Sequence, residues 1–526
     1  MKGTHMKRPY ARHLQGLHRL GLSPGRRLAD WLHPCRPTAR IYVVAVLLLG
    51  WLGSAVPSLA QTAAPVVTAT TTQPAVPANI TKAINTAVAA ATSNVPPAYN
   101  AGDTAWMLTS TALVMVMMPG LALYYGGIVR KKNWLATMWT SYVALGVITL
   151  QWFMFGYCLA FGHSVLGGFI GWSPNTLFLW KDFNAAGGGY VMDRMSSAPH
   201  TIPDLVFCMF QLMFAIITPA LIAGSVAERV SFRGFVAFIF LWATFVYDPL
   251  AHAVWVPTGW LAHMGAVDFA GGTVVHISSG VAGLAFCLVL GKRIGYPKHV
   301  IQPNALGMTL TGAGLLWFGW YGFNAGSANA ANNLACMAFT NTTIATAIGG
   351  LAWNFAEYLH HRRCTTLGMA SGFVAGLVAI TPACGYIQPW SAAVLGVMAG
   401  MVCYWGAQIK NIFGYDDALD AFGVHAVGGY MGAVMTGVFA AYATNSACRG
   451  WIMDGHFAQV GLQFLAASNA AIYSFVVSLI LALVLDKTIG IRVPDHVEIQ
   501  GLDIGVHGEN GWDIGTLPEP AVSMIA

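Results

Sequence analysis

Two histidines stand in otherwise apolar stretches of the chain, His276 in the run DFAGGTVVH and His425 in DAFGVH. A titratable ring in hydrocarbon is costly, so it usually faces a cavity or a partner and marks a transport path. Packing against a neighbouring helix through one hydrogen bond accounts for either residue taken singly. Two at matching places favour function, because stacked imidazoles can share a proton and offer donors and acceptors to a small polar solute. Glycines follow each histidine, Gly280 and Gly283 in the first stretch and Gly428, Gly429 and Gly432 in the second. A haem is the competing use of paired histidines. Close helix contact at the glycines leaves little room for a macrocycle, and there is no Cys-x-x-Cys-His attachment motif, so no cofactor is expected. Aromatic residues form a second group: Phe210 with Phe214, Tyr247 with Trp255, and Trp320 with Phe323. Their faces attract cations by roughly 0.5–2 kcal/mol, although an interfacial aromatic belt explains any one of them alone.

The elements that must position these groups are membrane helices. Of 526 residues, 56% are hydrophobic and 9% charged, where soluble chains carry about 25% charged. So few charges cannot cover a water-facing surface, which excludes nucleic-acid binding, intrinsic disorder and a secreted disulfide scaffold as the main reading. The nine cysteines show no Cys-x-x-Cys pair and read as buried thiols. Eleven stretches reach spanning length, at 104–128, 136–161, 203–225, 234–256, 272–291, 305–324, 334–359, 366–385, 388–408, 420–443 and 463–486. Thirteen Lys and Arg, among them Arg130, Arg229, Arg293, Lys410 and Arg492, fall in one set of connections. Only Lys181, Arg194 and Arg449 fall in the other. The positive-inside rule then puts the start of the first helix outside and the C-terminal tail in the cytoplasm.

The fold class expected is an all-α polytopic membrane protein, with eleven transmembrane helices arranged as a 5+5 inverted repeat plus one peripheral helix. The repeat rests on the fifth and tenth spans, each opening with an acid (Asp268, Asp420) before its histidine and running in opposite directions. Any site would lie where the halves meet. Residues 1–60 read as a leader: nine basic residues precede an apolar run that ends in Ser58-Leu59-Ala60, the pattern of a cleaved signal peptide. Without them the chain has 17 basic and 19 acidic residues, so its net charge of +6 belongs to the leader. Residues 61–100, rich in Ala, Thr and Pro, read as an outer linker, 101–490 as the membrane domain and 491–526 as the tail.

Several motifs together resemble the ammonium transporter (Amt) family, bacterial type. They are PGLALYYGG at 119–127, GSVAERVSF at 224–232, DFAGGTVVH at 268–276, WYGFNAGSA at 320–328, TPACGY at 381–386 and FGVHAVGG at 422–429. RVPDHVEIQGLDIGVHGEN at 492–510 resembles the family's cytoplasmic tail. The resemblance implies a non-enzymatic homotrimer in the cell inner membrane with one narrow pore per subunit, acting in nitrogen metabolism. It implies that Trp255, Phe214 and Ser327 recruit ammonium, with methylammonium as analogue, and that Phe214 and Phe323 gate the pore. His276 and His425 line it and relay a proton, while Asp268, Phe210, Tyr247 and Trp320 support the site. A trimeric PII (GlnK-type) signalling protein is the implied cytoplasmic partner, and the lipid bilayer the surroundings. The alternatives are a passive ammonia gas channel and an ammonium sensor acting through its tail. Tyr124, the extended N-terminus, the loops at 163–200 and 444–460 and the 16 residues after Asn510 depart from the family pattern.

Overall fold

The computed structural model describes residues 99–179, 201–298 and 302–511. The leader, almost all of the segment assigned as linker, Lys181 and Arg194 lie outside the described residues. Helices α1 (Ala101–Ile128), α2 (Lys131–Phe161), α3 (Asp204–Val226), α4 (Phe232–His263, broken after Trp255) and α5 (Gly272–Leu290) come first. They are followed by α6 (Leu306–Trp320), α7 (Asn333–His361), α8 (Thr366–Ile380), α9 (Pro389–Phe413), α10 (Phe422–Phe439) and α11 (Ala458–Thr488). Nine of these, among the described residues, are long and apolar enough to cross a membrane; α8 is a shorter apolar helix, and α6 continues through a π-helical turn at Tyr321–Ala325. This is a multi-pass membrane architecture. A two-residue antiparallel ladder, Ser164–Val165 against Ile170–Gly171, interrupts the helical pattern after α2.

Side-chain caps start several helices, satisfying backbone donors that have no partner within the helix. Asn100 accepts from the Asp103 amide, Ser231 from Gly234, Asn332 from Ala335 and Thr365 from Gly368. Burial ranks the helices: 83% of the apolar window is buried in α3 and in α5, against 28% in α11. The first two are central and the last is peripheral.

Small residues set the central spacing, as in membrane bundles generally, where close backbone approach supplies the packing. A Cβ on Gly280 of α5 would overlap the Ala426 backbone nitrogen at the head of α10. One on Gly429 of α10 would come within 2.9 Å of the His276 Cβ and 3.0 Å of the Gly272 carbonyl. Gly280 and Gly429 are thus contact points between α5 and α10, whereas Gly283 packs on Ser225 of α3, Gly428 on Cys403 of α9 and Gly432 on Ala379 of α8.

The connections at one end of the bundle are joined by buried ions. Glu228, after α3, accepts from the Arg130 backbone N–H (2.7 Å) and Nε (3.0 Å), from Asn133 and from Arg293 Nη1 (2.8 Å). Arg293, after α5, also grips Asp416 with Nε and Nη2 at 2.9 and 2.7 Å. Burial of the Glu228 carboxyl opposes its ionisation, but Arg293 and Arg130 more than offset that and hold it below the usual glutamate value. The Asp416 carboxyl is likewise held low by Arg293 and Arg229 against the effect of burial. The tail carries two short helices, α12 (Asp495–Gln500) and α13 (Leu502–His507), and docks at the same end. Arg492 pairs with Glu498 at 2.7 Å, and Asp503 accepts the Leu135 and Ala136 amides at the start of α2. Arg130, Arg229, Arg293 and Arg492 therefore share one end with the tail.

Candidate functional site

The residues singled out from sequence lie on α3, α4, α5, α6 with the π turn that continues it, and α10, with Asp268 just before α5 and Ser327 just after that π turn. Four of them sit in π-helical turns. These turns are Ala243–Tyr247, Gly272–Ile277 with His276, Tyr321–Ala325 with Phe323, and Phe422–Ala426 with His425. A π turn inserts one residue, which re-aims the side chains on it, and such turns occur frequently at functional sites.

The aromatic rings form a continuous column. Phe214 meets Trp255 edge-on at 5.8 Å and Phe210 at 4.9 Å, and stacks on Phe323 at 4.2 Å with 28° between the planes. Phe323 lies 6.1 Å from the His276 ring, which stacks with His425 at 5.4 Å and 19°. Trp320 is not confined to the aromatic cluster above: it stacks on His276 at 5.3 Å, its indole N–H donating to Thr381 at 2.9 Å. Ser327 is buried, and its hydroxyl donates to the Phe323 carbonyl at 2.8 Å. Gly326 beside it lies against the Phe210 ring. Tyr247 is buried two turns before Trp255 on α4, and its hydroxyl has no partner among the described residues.

Asp268 holds the head of α5 together. Its Oδ1 accepts the Gly271 and Gly272 amides at 2.8 Å each, and its Oδ2 accepts Thr273 and Val274 at 2.7 and 3.2 Å. Its carbonyl receives the Trp255 indole N–H at 3.1 Å. Gly271 turns the chain at φ 112°, a conformation that L side chains rarely adopt. One residue thus fixes both Trp255 and the turn that carries His276.

On α10 the corresponding acid is Asp417, a correction to the pairing of Asp268 with Asp420. Asp417 accepts the Ala421 and Phe422 amides at 3.2 and 2.8 Å, whereas Asp420 pairs with Lys410 at 2.6 Å. The acid stands eight positions before the histidine in both stretches, 268 to 276 and 417 to 425. That equal spacing was the signal available in the sequence.

A narrow cavity lies beside the histidines, lined by apolar side chains including Leu121, Ile217, Leu221 and Val374. Among the described residues, neither ring nitrogen of His276 has a hydrogen-bond partner, nor does Nδ1 of His425. Tyr125 also lines this cavity and was not foreseen; its hydroxyl donates to the Leu221 carbonyl at 3.1 Å. The arrangement offers imidazole nitrogens without a partner among the described residues, beside an apolar cavity and next to stacked phenylalanines.

The chain is similar in sequence and in fold to known proteins. Residues 105–512 match the profile described as Ammonium Transporter Family. The chain is 44% identical over 447 residues to a Mycobacterium tuberculosis ammonium transporter, covering 80% of this chain and 93% of that one. It is 42% identical over 417 residues to the Bacillus subtilis ammonium transporter, covering 78% and 98%. The crystal structure of Saccharomyces cerevisiae Mep2 superposes with a TM-score of 0.70 at 36% identity, over 76% of this chain and 89% of that one. A structure named Sensor Amt Protein gives 0.68 at 27% identity, over 77% and 98%. From motif to backbone the agreement is continuous, and the chain belongs to the ammonium transporter family.

Proposed function

We propose that the chain recruits ammonium between Trp255, Phe214 and Ser327, deprotonates it near the Phe214–Phe323 pair, and conducts ammonia past His276 and His425 into the cytoplasm. The single observation carrying this reading is the stacked histidine pair with unpaired ring nitrogens, directly behind the stacked phenylalanines. Burying an intact unit ion costs about 20 kcal/mol in the idealised Born limit, and still several after relaxation. Cation–π attraction and one hydroxyl do not offset that along an apolar bore. Ammonium can shed a proton, which potassium cannot do, so selectivity follows from chemistry instead of size. The histidines line the neutral path and relay the proton, which makes net transport electrogenic.

The same reading takes α1 to α11 as eleven spans in a 5+5 inverted repeat plus α11. The equal acid-to-histidine spacing on α5 and α10 supports it. It places the chain in the cell inner membrane as a homotrimer, with the α1 start outside and the tail in the cytoplasm. A PII (GlnK-type) protein docks on that tail face, and a failure of purified PII protein to co-sediment with these membranes refutes that part.

Electrical recording on solid-supported membranes tests the transport mechanism. Replacing both histidines by alanine should lower ammonium-evoked current or relax selectivity against potassium. Unchanged current and ion preference in the double variant overturns the relay. Uptake without current in the wild type indicates passive ammonia conduction instead.

A further inference from the structure

The segment between α10 and α11, one of the two loops that depart in length from the family pattern, folds back onto the bundle. Gly450 packs so closely on Ala440, just past the end of α10, that a Cβ there would overlap the Ala440 carbonyl oxygen. Asp454 Oδ2 accepts the Tyr442 amide at 2.9 Å and the Gly450 amide at 3.1 Å, and the His456 amide donates to the Gly450 carbonyl. Gly437, in the last turn of α10, lies against Gln459 and Val460 of α11. The turn Trp451–Asp454 is therefore fixed at the level of the α10 end and does not stand off from it.

This fixed turn exposes large apolar side chains: Trp451 at 47%, Ile452 at 53% and Phe457 at 61%. Phe457 leads straight into Phe464 and Leu465, which are exposed on α11, the least buried of the candidate spans. Phe457 and Phe464 are seven residues apart, so the apolar strip continues from the loop along one face of the least buried apolar helix. Beside it Arg449 lies over the Tyr442 ring at 4.5 Å, an exposed cation on an aromatic at the same level.

We propose that residues 449–457 form a lipid anchor, with Trp451, Ile452 and Phe457 seated at the acyl–headgroup boundary and Arg449 turned to the lipid phosphate. Tryptophan and arginine suit that boundary, since each joins an apolar body to a polar tip. The depth set by Gly450 on Ala440 puts the strip there, and its continuity with α11 names lipid as the occupant. The anchor ties α11 to α10 through the bilayer surface as well as through protein contacts.

Spin labelling in phosphatidylcholine–phosphatidylglycerol vesicles tests this. Cys35, Cys336 and Cys364 are replaced by serine, and a nitroxide is attached at Ile452→Cys or, independently, Phe457→Cys. Phe464→Cys on α11 gives the lipid reference and Ser446→Cys the aqueous one. The anchor requires both labels to be relaxed by oxygen and shielded from a water-soluble nickel chelate, as at position 464. Relaxation by nickel as at position 446 overturns it, because the turn then lies in water. Shielding from both relaxants also overturns it, because protein, including a second copy of this chain, then covers the strip.

Discussion

Replacing Asp268 by asparagine isolates what a carboxylate does at the head of α5. The two oxygens accept four backbone amides, two each. Asparagine keeps one oxygen and puts an NH2 where the other was, so in either orientation two amide donors face a donor. Each buried donor left unsatisfied costs about 1–3 kcal/mol, giving roughly 2–6 kcal/mol in all. Asp417 accepts two amides, one on each oxygen, so Asp417→Asn orphans a single donor and costs about half as much. With the per-residue unfolding entropy of globular proteins over about 400 residues, the first change lowers the melting temperature by about 2–7 °C and the second by about 1–3 °C. Thermal unfolding of the detergent-purified variants, run side by side, reads both. Ammonium current should fall in Asp268→Asn as well, because the Trp255 indole is fixed to the Asp268 carbonyl. Equal melting shifts in the two variants, or none in Asp268→Asn, would refute the capping argument.

Arg293→Ala leaves both Glu228 and Asp416 buried without their main partner and should destabilise the protein by about 3–5 kcal/mol; an unchanged melting temperature contradicts this. The folded carboxyls of Glu228 and Asp416 titrate below their ordinary values. Their stabilisation is therefore complete above about pH 4.5 and is lost as pH falls through the lower folded values. Melting temperature measured from neutral to acid pH should show that loss in the wild type and a weaker one in Glu228→Gln. Gly280→Val overpacks the α5–α10 contact and should reduce both stability and transport, whereas Gly307→Ala on α6 meets open space and should be neutral or slightly stabilising. Comparable yield and melting temperature in Gly280→Val would count against that contact.

Much of this was legible in the residue order because membrane helices announce themselves by composition and length. The rest depended on local geometry that spacing does not encode. His276, Phe323 and His425 each sit on a π turn, which changes the phase of a helix without leaving a compositional mark. Asp420 drew attention by preceding a Phe and a Val-His pair, yet its left-handed backbone and its ion pair with Lys410 turn it to another task. Trp320 could be placed among aromatics from sequence, but its stacking on His276 depends on Thr381 of the α8–α9 connection, distant in the chain. The Glu228–Arg293–Asp416 network joins three separate connections, so the count of basic residues could assign Arg293 to one side but not to its acidic partners.

The glycine contacts between α5 and α10 have a consequence for how the cavity beside the histidines can vary. Main chain meets main chain at Gly280 and Ala426, and at Gly429 and Gly272. On that side the width of the cavity beside the histidines is set by the backbone, whereas the rest of its wall is made of side chains such as Leu121, Ile217 and Val374. Shortening those side chains enlarges the cavity from their side, but widening it at the α5–α10 seam requires prising two main chains apart.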